Sequence, residues 1–167
     1  MSLDLSLDFA HGLDPAAFAE DRLGFRPDPW QSQVLRSRAR WILLNCCRQS
    51  GKSTTTALVA LHTAIYDPGL ILLVSPSLRQ SKELFAKTAG FLKRLEPVEE
   101  LEEDNKSSCT LANGARVVSL PGDPDTLRGY SGHSGSLRPR RGHLPRHGRH
   151  SRRRPWLTPK AVLVCRS

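Results

Sequence analysis

Cys46 to Thr54 constrains what this chain can fold into more than any other stretch. It reads Cys-Cys-Arg-Gln-Ser-Gly-Lys-Ser-Thr and lies between the apolar run Trp41-Ile42-Leu43-Leu44 and a helical pattern that follows at once. A strand, a turn carrying Gly-Lys-Ser and then a helix is the setting of a phosphate-binding loop, in which backbone N–H groups and the helix N-terminus face a polyphosphate. There Lys52 reaches the β and γ phosphates of a nucleotide as a point charge, and the Ser53 hydroxyl takes a magnesium site. The pattern G-x-x-x-x-G-K-[S/T] is met in part, because Cys46 stands where its first glycine belongs.

The flanks read as an α/β protein. Asp14-Pro15 through Gly24 predicts a capped helix, and Asp28-Pro29 opens a second one carrying Trp30, Gln31, Val34 and Leu35. Trp30, Val34 and Leu35 share a face, with Gln31 beside that stripe. Trp41 to Asn45 is expected as a buried strand, its apolarity being continuous rather than alternating. Ser53 to Tyr66 is expected as a helix turning Ala57, Leu58, Ala60, Leu61 and Ala64 inward, stopped by Asp67-Pro68-Gly69. Leu70 to Val74 reads as a second buried strand. A helix follows from Ser75-Pro76-Ser77, with Leu84, Phe85, Ala89, Phe91 and Leu92 as core contacts. This alternation predicts parallel βαβ units. Glu96 to Asp104 reads as an acidic, solvated loop, and Ser108 to Leu111 and Arg116 to Leu120 as a hairpin around Asn113-Gly114.

A chain of 167 residues is expected to form one domain. Its net charge of +9 is unevenly placed. From His133 to Ser167 there are nine arginines, one lysine and no acid; the remaining 15 basic residues face 16 acids, so residues 1–132 sum to −1. Only the tail is basic, and pooled charge says nothing about the domain. The absence of an 18-residue apolar run argues against a membrane span, and the acidic start, Met1-Ser-Leu-Asp-Leu-Ser-Leu-Asp, against a signal peptide. Cys46, Cys47, Cys109 and Cys165 have neither zinc-ligand nor disulfide-framework spacing and read as free thiols.

In this order the blocks resemble the N-terminal part of the ATPase domain of phage terminase large subunits, motors that package double-stranded DNA, with a RecA-like P-loop NTPase fold. Four blocks carry the resemblance over about residues 14–131: Pro27-Asp-Pro-Trp-Gln31, Cys47-Arg-Gln-Ser-Gly-Lys-Ser53, Val74-Ser-Pro-Ser-Leu-Arg-Gln-Ser81, and Leu120-Pro121 through Thr126-Leu-Arg-Gly-Tyr130. The second is the most specific, since an Arg-Gln pair inside the phosphate loop is peculiar to terminases. The resemblance implies that Gln31 contacts adenine and that Cys47, Arg48, Gln49, Ser50, Gly51, Lys52, Ser53 and Thr54 hold ATP. It makes Lys52 and Arg48 catalytic, Arg48 stabilising the transferring charge in cis, and Ser53 the Mg2+ ligand. The Ser75-Pro76-Ser77 block would lean towards the nucleotide edge or DNA, and Arg128 would precede the family's acidic strand. A small terminase subunit, a portal protein, double-stranded DNA and the host cytoplasm are implied by the same resemblance.

The family would continue into an apolar strand ending in Asp-Glu, the pair that positions magnesium and activates water. Here residues 133–167 are instead Arg-rich and expected to be disordered. Arg138-Pro-Arg-Arg-Gly142, read one base later, permits Val-Leu-Asp-Glu-Ala, and Ser134 to Leu137 permits Leu-Val-Leu-Phe. The chain therefore reads as the N-terminal portion of such an ATPase domain (1–132) followed by a frameshifted or truncated tail. Two other readings stay open: a helicase-like motor fragment, and a non-enzymatic nucleic-acid binder acting through its basic tail.

Overall fold

Two helices separated by one residue open the chain, α1 (Leu5–Leu13) and α2 (Pro15–Leu23). The structure is a computed structural model that describes residues 5–39, 41–95, 101–105, 107–128 and 160–162. Asp14 starts α2 by accepting the N–H groups of Ala16 and Ala17 at 2.9 and 3.3 Å. Gly24 ends it at φ 63°, with the N–H groups of Gly24 and Phe25 closing on the carbonyls of Glu20 and Ala19. The Asp14 carboxylate also takes the Arg36 guanidinium at 2.8 Å, and that hydrogen bond holds its pKa below the usual value. Arg36 follows α3 (Pro29–Leu35), so one carboxylate ties the start of α2 to the end of α3.

α1 was not legible in the sequence, because its buried side is polar. His11 is buried and pairs with Asp21 at 3.0 Å, while Asp8 accepts the Tyr66 hydroxyl at 2.9 Å. The apolar stripe Leu5, Phe9 and Leu13 faces outward. His62 donates Nε2–H to the His11 carbonyl at 2.9 Å, and burial pushes its pKa down, which keeps the ring neutral there.

The expected third and fourth helices form as α4 (Lys52–Tyr66) and α5 (Leu78–Leu92), with β1 (Leu70–Ser75) between them. Ala57, Leu58, Ala60, Leu61 and Ala64 are all buried as expected, and α4 packs on α5. β2 (Leu101–Asn105), β3 (Ser108–Leu111) and β4 (Arg116–Pro121) then run antiparallel, before a short helix α6 (Pro124–Arg128) and β5 (Lys160–Val162). The sheet order is β2-β3-β4-β1-β5, with β1 parallel to both β4 and β5. A parallel pair needs a long crossover, and α5 with the β2–β3 arm provides it.

Four expectations are corrected. Trp41 to Asn45 is not a strand: it has no regular structure, and Trp41 and Leu43 are 72% and 95% exposed. A strand needs an edge to hydrogen-bond, and both edges of β1 are taken, by β4 along its length and by β5 at Ile71–Leu73. The parallel unit that forms is therefore β1-α5-β4. Burial along β1 alternates, so Leu70, Leu72 and Val74 are only half-covered, because the helices pack on one face. The acidic stretch is partly a strand, since Leu101–Asn105 pairs with β3. Within the tail expected to be disordered, Lys160–Val162 joins the sheet; the rest of 133–167, like 96–100 and 129–130, lies outside the described residues. No helix among the described residues is long and apolar enough to cross a membrane.

Candidate functional site

The stretch singled out by sequence lies at the N-terminus of α4, as the loop from Cys46 to Gly51. Two residues turn it through left-handed backbone, Gln49 at φ 61° and Gly51 at φ 87°. Glycine adopts that conformation at no steric cost, and a glutamine there is uncommon. Gly51 is the N-cap of α4 and no side chain caps the helix, so its positive end is left open to an anion. Lys52 folds back over the loop, its Nζ donating to the carbonyls of Cys46 at 2.8 Å and Cys47 at 2.7 Å. These bonds use two of the three ammonium donors. The Ser50 hydroxyl is buried with no hydrogen-bond partner among the described residues.

This loop forms one wall of a cleft of about 410 Å³, lined on that side by Arg48, Gln49, Ser50, Gly51, Lys52, Ser53 and Thr54. Ser75, at the end of β1, and Gln80, Glu83, Leu84 and Lys87 on α5 form the other wall. Three cations thus face one carboxylate, and that carboxylate is paired with Arg79 at 3.2 Å. Arg48 is exposed and takes part in no ion pair among the described residues. The cleft accordingly favours an anion with several charges.

Glu83 and Lys87 were not found by sequence reasoning. They continue from Gln80 at helical spacing, so the signal lay in the i, i+3 and i+7 positions of α5. Cys47 and Cys46 enter through their carbonyls, and neither forms a disulfide among the described residues. Arg128 is the last residue of α6.

Gln31 is placed otherwise than its sequence position suggested. It is 4% exposed, points inward from α3, and accepts the Asp28 N–H on Oε1 at 2.9 Å. Its Nε2 end stands over Gly51, so close that a Cβ there would come within 2.5 Å. It is not among the residues lining the cleft.

The donor set fits a magnesium-bound triphosphate: an open helix end, an ammonium, an unpartnered serine hydroxyl and the half-buried Ser53 at the first turn of α4. No group of three or more His, Cys, Asp or Glu side chains that could hold a metal occurs among the described residues. A magnesium ion here would accordingly be held mainly by phosphate oxygens and water, with Ser53 as its protein ligand. No family model matches the chain, and no curated protein matches it.

Proposed function

We propose that the cleft binds ATP with magnesium and that the chain is the N-terminal portion of a terminase-type DNA-packaging ATPase. The observation that carries the nucleotide site is the uncapped α4 N-terminus with Lys52 folded across it onto two loop carbonyls. In this reading the backbone from Ser50 to Ser53 and the Lys52 ammonium hold the β and γ phosphates, Ser53 faces the magnesium, and Arg48 reaches the γ phosphate. Magnesium, when bound, would supply charge neutralisation to the polyphosphate. That Arg48 takes part in no ion pair among the described residues favours this role over a structural ion pair. Double-stranded DNA, a small terminase subunit and a portal protein are the partners proposed with it, in a host cytoplasm.

Hydrolysis needs a group to orient and activate the attacking water. Among the described residues Glu83 is the carboxylate lining the cleft, and Arg79 already engages it. The chain is therefore expected to retain ATP without turning it over. Equilibrium dialysis with labelled ATP, run beside a phosphate-release assay, checks this. Phosphate release that vanishes in Lys52→Ala would show that the acidic pair is dispensable and sink the prediction.

A further inference from the structure

We infer that this cleft selects for a triphosphate and not for a base, Gln31 serving as a positioning residue that braces the phosphate loop; the inference rests on the nucleotide-site reading above. To read adenine, a glutamine presents its amide oxygen and nitrogen together to one base edge. Gln31 cannot do so as folded. Its oxygen is engaged by the Asp28 N–H at 2.9 Å, which fixes the plane of the amide and leaves the NH2 end directed at Gly51. The oxygen could accept a second hydrogen bond, but at 4% exposure it offers no face to a base. The cleft wall, moreover, does not include it.

The same contacts assign Gln31 a different task. Gly51 sits at φ 87° with no Cβ, and only that absence lets the amide approach to where a Cβ would be 2.5 Å away. Gln31 thereby holds the turn that aims the first N–H groups of α4, and couples α3 to the loop. The amides that do line the cleft, Gln49 and Gln80, are exposed. Long exposed side chains lose rotamer freedom on fixing a base and so confer little selectivity.

The test compares binding of ATP, GTP and inorganic tripolyphosphate, each with magnesium, to the full chain, Gln31→Ala and Gln31→Glu by calorimetric titration, alongside thermal melting. The glutamate variant keeps the oxygen that accepts the Asp28 N–H and so preserves the start of α3. The expected result is that the unsubstituted chain binds ATP and GTP within about threefold of each other. Both variants are then expected to weaken all three ligands by a common factor of about tenfold or more, because each removes the amide NH2 that stands against Gly51. An ATP preference above about tenfold that disappears in Gln31→Ala would establish base reading and overturn the inference. Affinities unchanged in both variants, with only the melting temperature lowered, would make Gln31 a helix cap alone and overturn it too. If a chain with intact helical circular dichroism binds no tripolyphosphate at all, the nucleotide-site reading fails and this inference falls with it.

Discussion

Replacing Lys52 by alanine is expected to lower the affinity proposed for ATP by about a hundredfold or more. The ammonium is a charge-assisted donor to phosphate, worth about 1.5–3 kcal/mol per hydrogen bond, and each 1.4 kcal/mol is a factor of ten. Its loss also frees the carbonyls of Cys46 and Cys47, which it ties together at 2.8 and 2.7 Å, so the loop loses its internal clasp as well as its charge. Stability should hardly change, because Lys52 is half-exposed and forms no ion pair among the described residues. Lys52→Arg should not restore binding, since a planar guanidinium cannot occupy the place of a compact ammonium above two carbonyls. Fluorescent-nucleotide titration of the three proteins, with melting curves as control, decides the matter. Affinities within about threefold of one another would remove Lys52 from the site.

Replacing Phe18 by alanine costs about 3–5 kcal/mol of folding stability, a large share of what a domain of this size possesses. Phe18 is 2% exposed at the junction of α1, α2 and α4. Its ring meets those of His62 and Tyr66 edge-on, with centroids 5.4 and 5.7 Å away, and His11 stands at 6.2 Å. Removing it opens a cavity beside a buried histidine whose Nδ1 has no partner among the described residues, where surrounding polar groups cannot relax into apolar contact. The effect reaches the cleft through α4, which carries the loop from Cys46 to Gly51 at its N-terminus and Tyr66 on its last turn. Urea denaturation followed by circular dichroism measures the change. A loss below about 1 kcal/mol would mean that these three helices do not share one core.

What was legible in the sequence is local chemistry. Asp14, Pro15 and Gly24 delimit α2 because capping is settled within a few residues of backbone. The inward row on α4 was readable because its period is that of the helix. The turn at Asn113-Gly114 was readable too, with Gly114 at φ 83°, but a second role of Asn113 was not. Its Nδ2 donates to the carbonyls of Ala64 and Ile65 at 2.8 and 3.2 Å, fastening the end of α4 to the hairpin.

The misreadings share a cause. Trp41 to Asn45 has the composition of a buried strand, but whether a strand forms depends on a free edge elsewhere, and β1 has both of its edges paired. In α1 the apolar stripe points outward because the polar residues Asp8 and His11 find partners inside. Gln31 looked like a residue beside a stripe, and its burial follows from a contact with Gly51, twenty positions on. Of the site, the loop wall was legible as a motif. The α5 wall was only partly so, because Glu83 and Lys87 gain meaning from the packing of α5 beside the end of β1.

The central claim is that a triphosphate binds at the loop before α4. Amide chemical-shift mapping of the isotopically labelled chain, titrated with ATP and magnesium, tests it most directly. The largest shifts are expected on Arg48 to Thr54, with smaller ones on Glu83 and Lys87 across the cleft. A titration that saturates while those amides stay in place, or that moves only residues elsewhere, would contradict it.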